Sequence, residues 1–204
     1  IHYWGELYNI PELKEYPFCK IKQRNDYMRA VMADEEVEAF VNLPNPYKKT
    51  SPYWYRFELW HNFWSICAYH GPRMGEVASM RKIPTKENQS CIDFGRNVIV
   101  FHGKTGVREV PLSFVIRNRL IQYLTIVQGD YLFPALHKSS KTLYVGESAW
   151  QDDFDKRIQR LEEKFSGISH RLNLQPYSVR HSAGTRWAEE DWSIFKIQQA
   201  MGHT

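Results

Sequence analysis

Between Ser90 and Leu112 the apolar residues leave helical spacing and alternate with polar ones, and on either side the helical period returns. Ser90-Cys91-Ile92-Asp93-Phe94, Asn97-Val98-Ile99-Val100-Phe101 and Val107-Arg108-Glu109-Val110-Pro111-Leu112 read as three short strands. Gly95-Arg96 turns the first pair and Gly103-Lys104-Thr105-Gly106 the second. The fold class this predicts is α+β, mostly helical, with one small three-stranded antiparallel sheet set between two groups of helices.

The flanking helices carry their own punctuation. Asp34 is placed to N-cap a first helix with Val37, Phe40 and Val41 on one face, and the proline-bearing stretch from Asn42 to Pro52 ends it. A helix follows over about Tyr53 to Ala68, so dense in Trp, Phe and Leu that it should be buried on most sides. At their helical spacings Trp54, Trp60 and Trp64 read as core rather than as base-stacking platforms. Gly71-Pro72 stops that helix, and Arg73 to Met80 starts another. Beyond the sheet, helices are expected over Phe114 to Leu124, near Trp150 to Phe165, over Tyr177 to Glu189 and over Ser193 to Met201. Residues 1–28 lack a clear period and read as a linker or the tail of an upstream domain, leaving 29–204 as the folded unit.

Composition narrows the function classes. Aromatic residues make up 15% of the 204 residues, too much buriable surface for a disordered chain. No apolar run approaches the roughly 18 residues of a membrane span. The chain starts at Ile1 and lacks a signal-peptide order of segments, so it reads as a piece of something longer. Cys19, Cys67 and Cys91 form no Cys-x-x-Cys pair, which points to a reducing compartment and not to a disulfide framework or a zinc knuckle. None of the eight histidines sits at a zincin spacing.

The net charge is +4, and its placement matters more than its size. From His70 to Leu120 nine Lys/Arg face four Asp/Glu, whereas the rest of the chain has 18 against 19. A local cationic excess of that kind suits a polyanion, because neutralising phosphates releases condensed counterions. A solvated basic face would look the same on charge alone.

Four short segments carry the chemistry: Arg73-Met74-Gly75-Glu76, Lys104 at a hairpin tip, Tyr177-Ser178-Val179-Arg180-His181, and Gly202-His203-Thr204. In this order, with the sheet between them, they resemble the catalytic domain of the tyrosine recombinase, or phage integrase, family. Tyr69-His70-Gly71-Pro72-Arg73-Met74-Gly75-Glu76-Val77 is similar to the family's Thr-Gly-Leu-Arg-x-x-Glu stretch. Gly103-Lys104-Thr105-Gly106 and Val110-Pro111-Leu112 match its hairpin lysine and the following Val-Pro-Leu. Leu132-Phe133-Pro134 matches Leu-Phe-Pro, Tyr177 to His181 matches His-x-x-Arg-His, and Met201-Gly202-His203 matches Leu-Gly-His. The resemblance covers about residues 29 to 204 and departs from the pattern at Tyr177, where the box begins with histidine.

The resemblance implies the fold of DNA breaking–rejoining enzymes and metal-free, ATP-free cutting and rejoining of double-stranded DNA through a 3′-phosphotyrosyl bond. It makes Arg73, Lys104, Tyr177, Arg180 and His203 the catalytic residues, with Glu76 and His181 supporting. Two guanidiniums suit the non-bridging oxygens of a phosphodiester, being planar, permanently charged and bidentate. Lys104 would protonate the leaving 5′-oxygen, and a packing role is favoured for His181. The family's nucleophilic tyrosine lies past the Gly-His histidine, so it falls beyond Thr204 and this chain alone should be inactive. No cofactor or metal is implied, and no membrane. Self-association into a synaptic tetramer on DNA is implied, as is a cytoplasmic, nucleoid-associated protein of a bacterium, archaeon or phage. A catalytically silent DNA-binding relative and a type IB topoisomerase stand as alternatives. A metal nuclease lacks a supporting Asp/Glu/His cluster.

Overall fold

A computed structural model describes residues 30–84, 89–104, 106–137, 140–171 and 174–203. The linker expected over 1–28, with Cys19, lies outside the described residues, as do Thr105 and Thr204. The chain runs through α1 (Asp34–Val41), α2 (Pro52–His70), α3 (Met74–Ala78), β1 (Cys91–Asp93), β2 (Val98–Gly103) and β3 (Gly106–Pro111). It then returns to helix in α4 (Phe114–Leu124), α5 (Glu147–Leu161), α6 (Pro176–Glu189) and α7 (Ile194–Met201), with a short 3₁₀ turn at Ile168–His170.

Helix α2 is the axis of the molecule. Ser51 caps it by accepting from the Tyr53 N–H (3.2 Å), Pro52 opens it, and Gly71 closes it in the left-handed region at φ 56°. Trp60, Phe63, Trp64, Ile66 and Cys67 are each almost wholly buried, because α1, α3, α4 and α6 pack around the helix. Its aromatic rings meet edge-on: Phe63 with Trp64 at 5.1 Å and 87°, Phe63 with Phe133 at 5.4 Å and 84°. Such pairs add about 0.5–1.5 kcal/mol each beyond area burial. Trp60 and Trp64 are core as expected, while Trp54 is only half-buried.

The sheet is antiparallel in the order β1-β2-β3. Gly103 pairs with Gly106, so the second hairpin is tight and carries Lys104 at its exposed tip. The first turn takes Phe94 to Asn97, and Asn97 rather than a glycine supplies the positive φ of 55°.

Several boundaries differ from the sequence reading. Ala33, not Asp34, is the N-cap of α1; its N–H donates to the Glu36 carboxylate (2.9 Å), which leaves Asp34 as the first helical residue. The helix expected over Arg73 to Met80 shortens to α3, with Arg73 as its N-cap. Helix α5 starts at Glu147 and stops at Leu161 rather than Phe165. There the Glu162 carboxylate gathers the N–H groups of Gly167 (2.5 Å) and Ser169 (2.8 Å) into a turn. Among the described residues no helix is long and apolar enough to cross a membrane.

Candidate active site

The C-terminal ends of α2 and α7, the N-terminal turns of α3 and α6, and strand β3 converge on one place. Gly71 makes that convergence possible. A β-carbon there would sit 3.0 Å from the Trp187 ring, and its left-handed φ turns the chain out of α2 towards Arg73.

Arg73 faces two partners. Its backbone N–H donates to Glu76 Oε2 (2.8 Å), and its guanidinium donates to Glu76 Oε1 (3.2 Å) and to the Gly202 carbonyl (3.1 Å). About 29% of the side chain remains exposed, so the guanidinium is anchored yet open to a ligand. Glu76 is itself buried and clamped from the other side by Arg108, whose Nη1 and Nη2 donate to Oε1 (2.9 Å) and Oε2 (2.6 Å). Burial pushes the Glu76 carboxyl up. The hydrogen bonds and charge of Arg108, then the Arg73 donors, outweigh it and hold the group below its usual value. Arg108 Nε also donates to the Ala200 carbonyl (2.8 Å), which ties β3 to the end of α7.

Arg180 is 1% exposed, and its charge is balanced differently. Nη1 donates to the Gly71 carbonyl (2.8 Å) and Nη2 to the Met201 carbonyl (2.6 Å), the two carbonyl ends of α2 and α7. Helix C-termini carry partial negative charge, so they hold a cation without neutralising it. Burial, reinforced by the nearby Arg73 and Arg108, pulls the guanidinium down to about 10, still protonated at neutral pH. Arg180 Nη2 also lies 3.2 Å from His203 Nε2. A guanidinium has no lone pair to offer, so that imidazole nitrogen accepts and Nδ1 carries the proton. Partial withdrawal from water, then Arg180, Arg73 and Arg108, lowers the His203 pKa and favours this neutral form.

Arg73, Gln175, Tyr177, Arg180, His181 and His203 line a cleft of about 400 Å³. Tyr177 lies in the first turn of α6, with the Arg180 guanidinium 6.0 Å from its ring centroid. His181, expected to pack or brace, stands on the cleft wall with its ring 5.8 Å from that of Tyr177. Lys104 does not line the cleft; it projects from the exposed hairpin tip. Its neighbour Gly103 is pressed against the site. A β-carbon there would come 2.3 Å from Glu76 Oε1 and 3.3 Å from Arg73 Nη1. The hairpin therefore roots beside Glu76 and Arg73 while its lysine stands exposed at the tip. Among the described residues no cluster of His, Cys, Asp or Glu is placed to hold a metal ion.

Sequence reasoning missed Arg108. The signal was present, since strand alternation puts Arg108 on the inward side with Val110 while Val107 and Glu109 face out. A charged residue at an inward strand position needs a buried counter-charge, and Glu76 supplies it. Gln175, on the cleft rim, had no comparable signal. The basic excess between His70 and Leu120 is partly consumed inside the fold, because Arg96 pairs with Asp93 (2.7 Å) and Glu109 (2.8 Å), and Arg108 with Glu76.

Comparison with known proteins follows the same outline. A sequence model of the phage integrase family matches residues 30–204. The tyrosine recombinase XerC of Chlamydia muridarum is 28% identical over 141 residues, covering 66% of this chain and 39% of that protein. The chain thus spans about two fifths of the length of the curated relatives it matches. Among solved structures, the XerA recombinase superposes with a TM-score of 0.61 at 16% identity, over 100% of this chain and 63% of its own. The Tn1549 transposon integrase, solved with transposon right end DNA, gives 0.65 at 15% identity, over 86% and 58%. At such identities the likeness establishes the fold.

Proposed function

The chain belongs to the phage integrase family, and from that premise we propose that residues 29–204 are the catalytic domain of a tyrosine-type site-specific recombinase acting on double-stranded DNA. Residues 1–28 are then a linker or the tail of an N-terminal core-binding domain. The observation that carries the reading is the charge balance of the cleft. Arg180 is buried against two helix-end carbonyls and a neutral imidazole, and Arg73 is partly exposed beside it, so two guanidiniums face the same space. A cleft lined by two guanidiniums, one of them buried without a carboxylate partner, is complementary to a phosphodiester, and more so to the extra charge of its transition state.

Arg73 and Arg180 bind the non-bridging oxygens of the scissile phosphate. A tyrosine hydroxyl not among the residues of this chain attacks phosphorus and gives up its proton to solvent water; the P–Oη bond forms and the P–O5′ bond breaks. Lys104 swings in from the hairpin and gives its proton to the departing 5′-oxygen. His203 donates from Nδ1–H to a phosphate oxygen or the incoming tyrosine, since Nε2 is occupied with Arg180. Tyr177 offers its phenol where the family has an imidazole, as a hydrogen-bonding rather than an acid–base group. Glu76 and Arg108 position Arg73. The 3′-phosphotyrosyl bond conserves the energy of the broken linkage, so rejoining needs no nucleotide. The reaction is proposed to run in a synaptic tetramer of the protein on DNA, in the cytoplasm.

The test is strand cleavage by the recombinase carrying this domain. Arg73→Ala and Arg180→Ala should each lose roughly 10²-fold or more, about 2.7–4 kcal/mol of transition-state stabilisation. Arg→Lys at either position should also be impaired, because one ammonium cannot reproduce the fork. Near-normal cleavage by both alanine variants would remove the two arginines from the chemistry, whereas DNA binding without cleavage by the parent protein would leave a DNA-binding relative.

A further inference from the structure

The opposite end of α2 carries a second cationic cavity, remote from the cleft. It lies between the N-terminal half of α2 and the face of α5 from Asp153 to Arg160, and encloses about 190 Å³. Trp60, its deepest α2 residue, precedes Gly71 by three helical turns, about 16 Å of rise. Arg56, Lys156, Arg157 and Arg160 line it against one carboxylate, Asp153. That carboxylate is already engaged by Arg157 Nε (2.7 Å) and Trp64 Nε1 (2.9 Å). Glu58, the next acid to influence Arg157, accepts from Asn45 (2.8 Å).

Two lining side chains hold donors without an acceptor. Trp60 is 1% and Arg157 2% exposed, and neither Trp60 Nε1 nor Arg157 Nη2 has a hydrogen-bond partner among the described residues. Arg157 uses its remaining groups on Asp153 and the Phe40 carbonyl (3.0 Å). The Arg157 guanidinium also lies over the Phe57 (5.0 Å) and Phe40 (5.6 Å) rings, which leaves its charge short of acceptors beneath a rim of further cations. Indole, guanidinium and ammonium groups only donate, which selects a ligand that accepts at several atoms and carries negative charge. At the mouth Tyr47 and Tyr53 lie with ring centroids 5.5 Å apart, both substantially exposed, and form an aromatic wall beside the cations.

We propose that this cavity is a binding site for the phosphate group of a small molecule, free or as a phosphomonoester, separate from the cleft that receives DNA. Arg56, Lys156 and Arg160 hold the oxyanion from the rim, its charge offsets that of the buried Arg157 beneath, and the tyrosine pair offers a face to a flat ring attached to it. The inference is independent of the recombinase reading.

The readout is the Trp60 indole N–H resonance, assigned by its loss in Trp60→Phe. Titration of the chain with sodium phosphate at constant ionic strength should shift this resonance saturably, while chloride should not. Lys156→Ala combined with Arg160→Ala, both exposed positions, should keep the circular dichroism and melting temperature and weaken the phosphate response tenfold or more. Arg73→Ala should leave it intact. Adenosine monophosphate separates the two sources: tighter binding than phosphate assigns the tyrosine wall to a ring, and equal binding assigns the site to the phosphate alone. The proposal fails if phosphate leaves the resonance unmoved or chloride moves it equally. It also fails if the double variant responds as the parent does, if Arg73→Ala abolishes the shift, or if only duplex DNA produces it.

Discussion

Glu76 is the residue on which the order of the cleft depends. Its carboxylate receives Arg73 and Arg108 together, and both Glu76 and Arg108 are nearly excluded from water. Removing one partner of such a pair is more damaging than removing both, because a lone buried charge is left. Arg108→Met should therefore destabilise the fold by roughly 3–5 kcal/mol at neutral pH, and adding Glu76→Gln should recover part of the loss. The pH dependence has a definite sign. In the parent the Glu76 pKa is depressed by its arginines, so its contribution is complete above the ordinary carboxylate value of 4.5 and is lost as pH falls through the lower folded value. In Arg108→Met the carboxyl is buried with less compensation, its folded pKa rises, and acid should narrow the stability gap between variant and parent. Urea unfolding at neutral and acidic pH checks this; a gap that widens in acid would contradict it.

Among the elements, the β2–β3 hairpin is the one whose construction bears on chemistry. Its base is fixed by the close fit of Gly103 to Glu76 and Arg73, and its tip is solvent-exposed. Lys104 is therefore exposed at the tip, outside the cleft that Arg73 and Arg180 line. If Lys104 is the general acid, a substrate with a 5′-bridging phosphorothiolate should restore cleavage to Lys104→Ala, because a thiolate departs without a proton. The same substrate should not restore Arg73→Ala or Arg180→Ala, whose defect is in charge stabilisation. Equal rescue of the arginine variants with none for Lys104→Ala would send the acid role elsewhere. The expected hairpin, its glycines and the lysine between them agree with the observed register, because a tight turn is a local matter. The start of α1 does not follow the sequence reading, since the Glu36 carboxylate satisfies the Ala33 N–H from within the first turn and makes an Asp34 cap unnecessary.

For the molecule as a whole, the cleft contains stabilising groups and a phenol, Tyr177, that stands over Arg180 rather than free of it. No tyrosine follows Tyr177 in the chain. Incubated alone with a nicked suicide substrate, the 204-residue chain should bind duplex DNA weakly, with a steep salt dependence, and form no denaturant-stable adduct. A covalent band that vanishes in Tyr177→Phe would overturn both the supporting role of Tyr177 and the placement of the nucleophile.

By itself the sequence determined the helix–sheet–helix plan, the hairpin that carries Lys104, and the order Arg73, Lys104, Arg180, His203. These follow from periodicity, turn residues and short motifs, which act over a few neighbours. Only the tertiary structure decided which partners those groups would find. Arg180 meets Gly71 across 109 residues, and Arg108 meets Glu76 across 32 and Ala200 across 92. The donor-lined cavity around Trp60 and Arg157 likewise exists only because α5 packs on α2. Such contacts have no local signature, because a guanidinium takes any carbonyl or carboxylate the packing delivers and only the packed helix ends and strand choose among them.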